Sequence, residues 1–418
     1  MDIRVLWFAV TPSMYARSNM VHNGGGWIAS LESLVRKTPD VKLGIAFEHS
    51  DKRFRVDRDG IAYYPINVWR SKWKRLKRKI IYDTEERLLI PACLRIIEDF
   101  KPDVINVFGS EWCFGLVREH MDIPVVIHMQ GSIPPYYNAR FPAGYSRTDL
   151  VFYYGLNIRK TLNQLLWDRA FRLRAKREER ILRGCQYFMG RTEWDKNVTR
   201  LYAPESEYFY CSEALRDAFV NTDRIWQPHN RINVVFVTTI SPPLYKGADV
   251  ILKTAKLLQD NRSINFEWRV FGAKEIRFHE WKVKIKASEV NVRLMGTVSE
   301  ARLRDELLDA DIFIHPSYID NSPNSICEAQ YLGVPVISTN VGGIGSLVKH
   351  HETGFLVPSN DPYSMASYIL LVINDKDLSA SLGRNAREAA LVRHSPKQIL
   401  NDLLTVYNKI IDQENKNK

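Results

Sequence analysis

A chain of 418 residues with 45% hydrophobic and 26% charged residues is long enough for two or three domains and has the balance of a soluble globular protein. No run of about 18 apolar residues occurs, which excludes a conventional transmembrane helix. Arg4 interrupts the short apolar start, so no signal peptide is expected and the chain is placed in the cytoplasm. The five cysteines have no metal-type spacing, and Cys327 reads as a small buried hydrophobe. The formal charge of +11 is uneven: residues 1–230 carry +9 and the rest +2, pointing to an anionic partner or surface for the first half.

Taken in order, Ile3 to Val10 reads as a buried strand. Gly24, Gly25 and Gly26 then precede a helix from Ile28 to Arg36. Three glycines in that place either bring backbone amides close to a ligand or form a flexible turn. Val41 to Phe47 and Ile61 to Ile66 are further strands. Residues 70–79 hold seven Lys or Arg and no acid, with Trp69, Trp73, Leu76 and Ile80 at helical spacing. A stripe of that kind, edged by Lys74, Lys77 and Arg78, suits a helix in a membrane interface. It equally suits a helix packed on a sheet with a solvated basic face, or a nucleic-acid contact.

Asp103 to Val107 and Ile123 to Ile127 read as strands whose carboxyl ends, near Glu111 and His128, face a cleft by the switch-point rule. The aromatic loop Ile133 to Tyr145 stacks on sugar faces or packs on itself. Residues 157–184 form a long basic helix. Cys185 to Met189 is taken as the last strand of the first domain, with Arg191 and Thr192 either bordering the cleft or capping the strand end. Ile225 to Asn230 has linker composition, giving domains at 1–228 and 229–394 and a last helix in 395–418. In the second domain Lys246 and Gly247 open a helix, a placement suited to a phosphate. Phe266 to Phe271 with Gly272, and Val292 to Leu294 with Gly296, are strand-and-turn units; Pro362 to Leu382 and Pro396 to Ile411 are helices.

The most informative stretch is residues 311–343: strand, polar loop, helix Ser325 to Leu332, strand Val334 to Ser338 and a glycine pair, a βαβ unit. Pro323, Asn324 and Ser325 are good helix-start chemistry, and the free amides with their positive dipole end suit an anion. Asp320 and Glu328 flank that start with seven residues between them. Asp320-x7-Glu328, then Gly333-Val334-Pro335-Val336 and Gly342-Gly343, resembles the donor signature of retaining glycosyltransferases of family 4, Glu-x7-Glu, G-x-P-V and G-G-x-x-E. Asp320 replaces the first Glu and Ser346 the last. The family's R-x4-K-G segment is matched at Lys246-Gly247, but Ser241 stands where the Arg belongs. Gly190-Arg191-Thr192-x-Trp194-Asp195, with residues 210–216, resembles a subset of bacterial surface-polysaccharide glycosyltransferases.

The resemblance implies an α/β GT-B fold, two Rossmann-like domains across a cleft. It implies retaining transfer of a sugar from a nucleoside diphosphate, UDP type, to a glycan or polyprenyl-diphosphate-linked sugar, without a protein nucleophile. Lys246 would face the diphosphate, Glu328 the ribose hydroxyls, Asp320 and His128 the donor sugar. Gly24, Gly25 and Gly26 would reach the phosphates, the turns at Gly272 and Leu294 would line the base, and Ser322, Asn324, Ser325 and Ile326 would complete the donor site. Arg191 and Glu111 would lie on the acceptor side. The sequence is read as carrying no Asp-x-Asp metal motif of the other main transferase fold, so no metal is expected, nor a nucleic acid. Peripheral contact with an anionic membrane is assigned to Trp69, Trp73, Lys74, Lys77 and Arg78. The competing readings are a GT-B epimerase, a non-catalytic nucleotide-sugar-binding partner and a nucleic-acid-binding basic protein.

Overall fold

The computed structural model describes residues 3–15, 26–69, 84–155, 157–261 and 264–416. Gly24, Gly25, Trp73, Lys74, Lys77 and Arg78 lie outside them. Among the described residues the strands form two sheets. The first contains β1 (Ile3–Ala9), β2 (Val41–Glu48), β3 (Val56–Arg58), β4 (Ile61–Ile66), β5 (Val104–Phe108), β6 (Val125–His128), β7 (Tyr187–Gly190) and β8 (Glu207–Tyr210), in the order β3-β4-β2-β1-β5-β6-β7-β8. Only β3 is antiparallel to its neighbour. The second contains β9 (Asn233–Thr239), β10 (Asn265–Phe271), β11 (Val292–Gly296), β12 (Ile312–His315), β13 (Val336–Thr339) and β14 (Phe355–Val357), all parallel, in the order β11-β10-β9-β12-β13-β14.

Near-continuous apolar runs make these strands because both faces of each sheet are covered. In β1, Leu6 and Phe8 enter one core while Val5 and Trp7 enter the other, as the two-residue side-chain period requires. That second core contains Ile399, Leu403, Val406, Tyr407 and Ile410 of the last helix, Pro396–Lys416, and Trp7 Nε1 donates to Tyr407 Oη at 3.0 Å. The chain therefore crosses into the second sheet and returns to the first.

Two boundaries differ from the sequence reading. Cys185 to Met189 is not the last strand of its sheet: β8 follows at the edge, where EYFY is only half-buried and gives no clear alternation. The segment Pro362 to Leu382 is two helices, Pro362–Asn374 and Lys376–Arg393, because Asp375 leaves helical geometry and its side chain caps the second by accepting from Leu378 N. Trp69 is a further correction. Its ring packs against the core of the first sheet and its Nε1 donates to Glu48, so it faces protein and not lipid.

Candidate active site

The helices that matter for the site are α1 (Gly26–Val35), α2 (Ile133–Asn138), α3 (Arg147–Tyr154), α4 (Ile158–Gly184), α5 (Ala248–Asn261), α6 (Arg277–Val283) and α7 (Asn324–Leu332). A cavity of about 460 Å³ opens between the carboxyl ends of the two sheets. Gly26, Glu111 and Arg191 line it from the first domain; Lys246, Gly272, Asp320, Ser322, Asn324, Ser325 and Glu328 line it from the second. The switch-point geometry of open parallel sheets brings these distant residues together.

Lys246 sits in a single 3-10 turn, Leu244–Lys246, closed by Gly247 at φ +78°. A Cβ at Gly247 would lie 2.1 Å from Pro316 O, so only glycine lets the turn sit against the loop after β12. Lys246 Nζ reaches Asp320 Oδ2 at 2.6 Å, and His315 Nε2, at the end of β12, is 3.0 Å from the same oxygen. Burial works against ionisation of Asp320, but the Lys246 charge and the His315 contact hold its carboxyl well below the usual range. No side chain caps α7, whose N-cap is Pro323, so the helix start at Asn324 and Ser325 faces the cavity uncapped.

Glu328, one turn inside α7, is bound through both oxygens by Arg216, Nε at 2.6 Å and Nη2 at 2.7 Å. Burial outweighs that attraction and raises the Glu328 carboxyl above its ordinary value. Ser241 lines the cavity without bringing a cation, and Arg216 brings one into the same cavity from the segment after β8. Its separation of 112 residues from Glu328 gave no signal in the sequence. Arg191 Nε pairs with buried Glu213 at 2.6 Å, and its guanidinium lies 5.0 Å from the Trp27 ring centroid. Three cations thus surround one helix start, each balanced by one buried carboxylate.

Other placements depart from expectation. His128 is fully buried between Trp27 and Phe108, with ring centroids 5.0 and 5.4 Å away, and does not line the cavity. Leu294 packs half-buried against the core of the second domain, while Thr297, Val298 and Leu303 line that side. Ile326 lies in the core and its amide donates to Pro323 O at 3.0 Å, which takes it out of the set facing a ligand. Ser346, in place of the family's Glu, accepts from Glu193 N at 3.0 Å across the domains. Asn321 makes a larger clasp: its side chain meets Thr192 Oγ1 at 2.6 Å, Gln130 O at 3.0 Å and Asp195 Oδ2 at 3.2 Å. Tyr136 of α2 stacks on Tyr245 beside it, 5.4 Å apart and 10° from parallel.

Three Asp-x-Asp spellings do occur, at Asp57/Asp59, Asp309/Asp311 and Asp375/Asp377, which corrects the sequence reading. The first four carboxylates are in arginine ion pairs, with Arg55, Arg36, Arg231 and Arg269, Asp375 caps a helix start, and none of the six lines the cavity. Among the described residues one set of three possible metal ligands gathers, Glu213, Cys327 and His394, and Arg191 already supplies the Glu213 countercharge.

Burial pushes His128 down to about 3 and His394 down to about 4. Both histidines are neutral when folded and take up protons on unfolding, so the stability they contribute is full above about pH 6.5 and is lost on acidification below it. Each should cost about 1.4 kcal/mol per pH unit between pH 6.5 and its folded value. Urea denaturation at pH 7.0 and 5.5 measures the loss, and His128→Phe should shrink it.

Residues 223–389 match the family model described as Glycosyl transferases group 1. Fold and match together give the class: a protein of GT-B architecture whose second domain is similar to the group 1 glycosyl transferases. Among curated relatives the chain is 35% identical over 188 residues to the capsular polysaccharide biosynthesis glycosyltransferase CapM of Staphylococcus aureus, covering 38% of this chain and 50% of CapM. It is 27% identical over 182 residues to the amylovoran biosynthesis glycosyltransferase AmsK of Erwinia amylovora, covering 42% of this chain and 41% of AmsK. The matches thus span about half or less of those relatives' length. In fold it is similar to sucrose-phosphate synthase from Thermosynechococcus elongatus, with a TM-score of 0.73, 14% identity and coverage of 98% of this chain and 100% of that one. Anabaena HepE, solved in complex with UDP and glucose, gives a TM-score of 0.61 at 13% identity over 97% of this chain and 100% of HepE.

Proposed function

We propose that the chain transfers a sugar from a nucleoside diphosphate, UDP type, to a hydroxyl of a glycan or lipid-linked glycan in surface polysaccharide synthesis, with retention at the anomeric carbon. The observation that carries this reading is the group of three cations, Lys246, Arg216 and Arg191, around the uncapped start of α7. In transfer the bond between the anomeric carbon and the diphosphate oxygen breaks, and the electron pair leaves with the diphosphate. The acceptor oxygen then bonds to that carbon from the same face, and its proton passes to the departing phosphate. Negative charge therefore develops beside Lys246 and Arg216, where fixed cations and helix amides stabilise it without reorganising solvent. Asp320, kept ionised, accepts hydrogen bonds from donor-sugar hydroxyls. Glu328 accepts from the ribose as Arg216 turns toward phosphate. No metal is called for in this scheme, because protein cations take the role of the counterion.

The CapM and AmsK similarities support a polysaccharide acceptor, and the HepE complex supports a UDP donor. A thermal-shift screen of UDP, GDP, ADP and their sugar conjugates tests the reading. One nucleotide series, at a hundred times its Kd, should stabilise the protein by about 2.7 kcal/mol. The shift should vanish in Lys246→Ala. Equal response to all nucleotides, or none, would count against the donor site.

A further inference from the structure

The tip of the α3–α4 hairpin carries a concentration of uncovered apolar side chains. Val151, Phe152, Ile158, Leu162 and Leu165 are all exposed, Phe152 at 76% and Ile158 at 80%. Scattered exposed apolar residues are ordinary; five at one hairpin tip mark an interaction surface. Ile158, Leu162 and Leu165 fall at i, i+4 and i+7, one face of α4. Farther along the same face Arg169, Arg172 and Lys176 are exposed, extending it to about 27 Å. Residues 150–176 contain six Lys or Arg and a single acid, Asp168, which is buried between Arg140 at 2.8 Å and Arg147 at 2.5 Å.

The inner side of the hairpin is already satisfied. Asp149 completes the Ser146 capping box and meets Lys282 of α6 at 2.7 Å. Tyr153 packs on Phe278 and Trp281, centroids 5.1 and 5.5 Å away. The outer apolar face is therefore left over after domain packing. The hairpin is also tied to the cavity, because α2, which carries Tyr136 on the cavity wall, is fastened to α4 through Tyr137 against Phe171, and Arg140 just after α2 pairs with Asp168.

We propose that this tip is a membrane-facing wedge: Val151, Phe152, Ile158, Leu162 and Leu165 enter the interfacial layer of an anionic bilayer, and the Arg159, Lys160, Arg172 and Lys176 collar engages its headgroups. Charge complementarity selects this occupant. A second copy would bring the same basic collar against itself, and a nucleic acid would leave the apolar tip in water. Long basic side chains extend from such a position to headgroup level. The wedge deepens the proposed function by holding the cavity at the lipid surface where a lipid-linked acceptor lies, and it rests on that reading for the acceptor alone.

The test is co-sedimentation of the full chain with vesicles of phosphatidylcholine, with and without 30% phosphatidylglycerol, at physiological salt. Wild type should bind the anionic vesicles and bind the neutral ones weakly. Phe152→Ser/Ile158→Ser/Leu162→Ser, all at exposed positions, should lower the partition coefficient at least tenfold, and so should Arg159→Glu/Arg172→Glu. Binding by the triple variant equal to wild type would overturn the proposal, as would a wild type that ignores anionic vesicles. It also fails if the triple substitution abolishes dimerisation and leaves vesicle binding intact. The nucleotide-induced thermal shift, measured on the same variants, should be unchanged; a wild type that shows this shift but does not bind anionic vesicles removes the wedge and leaves the donor site standing.

Discussion

Lys246→Ala should lower the transfer rate by roughly 10²- to 10³-fold, the range seen when one fixed donor to a developing oxyanion is lost. Three features concentrate the effect in this side chain. It stands on a turn fixed by Gly247 against Pro316, its ammonium is 2.6 Å from Asp320, and it faces the uncapped start of α7. Asp320 keeps His315 at 3.0 Å after the substitution, so that carboxylate is not stranded and the fold should persist. Turnover measured well below the melting temperature, alongside a circular-dichroism melt, separates the two effects. A variant within threefold of wild type would remove Lys246 from the mechanism.

Arg216→Ala should be costly in two ways. Breaking a buried ion pair by removing one partner costs about 3–5 kcal/mol, because the remaining charge has no counterion. Glu328 is 1% exposed, and burial already raises its carboxyl, so without Arg216 it should bind a proton and lose its role as a hydroxyl acceptor. The double variant Arg216→Ala/Glu328→Gln removes the stranded charge and should recover much of the stability, measured by urea denaturation, while turnover stays at least tenfold down. If the double variant were as active as wild type, Arg216 would be a structural partner of Glu328 and nothing more.

The contrast between these two residues shows what could be read in the sequence. Lys246, Asp320 and Glu328 were legible because each stands in a short local pattern: a glycine-closed turn, a polar loop, a helix start. The Arg216–Glu328 pair and the Asn321 clasp were not, since the partners lie 112 and 129 residues apart; the 210–216 run drew notice as a resemblance, but nothing local assigned Arg216 a partner. His128 was placed correctly at the end of β6, but the position of a strand end does not settle which face a side chain takes. The two-residue period turns it inward onto Trp27 and Phe108. His315, also a strand-end histidine, faces the cavity and was passed over. Most strands were legible as apolar runs buried on both faces, whereas the half-exposed edge strand β8 gave too weak a pattern, and the break at Asp375 is a single capping residue inside an otherwise helical stretch.

The most direct test of the central claim is a crystal structure with the nucleoside diphosphate that gives the largest thermal shift. The diphosphate should lie against the first turn of α7, within hydrogen-bond distance of Lys246 Nζ and the Arg216 guanidinium, with the ribose on Glu328. A nucleotide bound elsewhere, or phosphates in solvent with the Lys246–Asp320 and Arg216–Glu328 pairs intact, would contradict it.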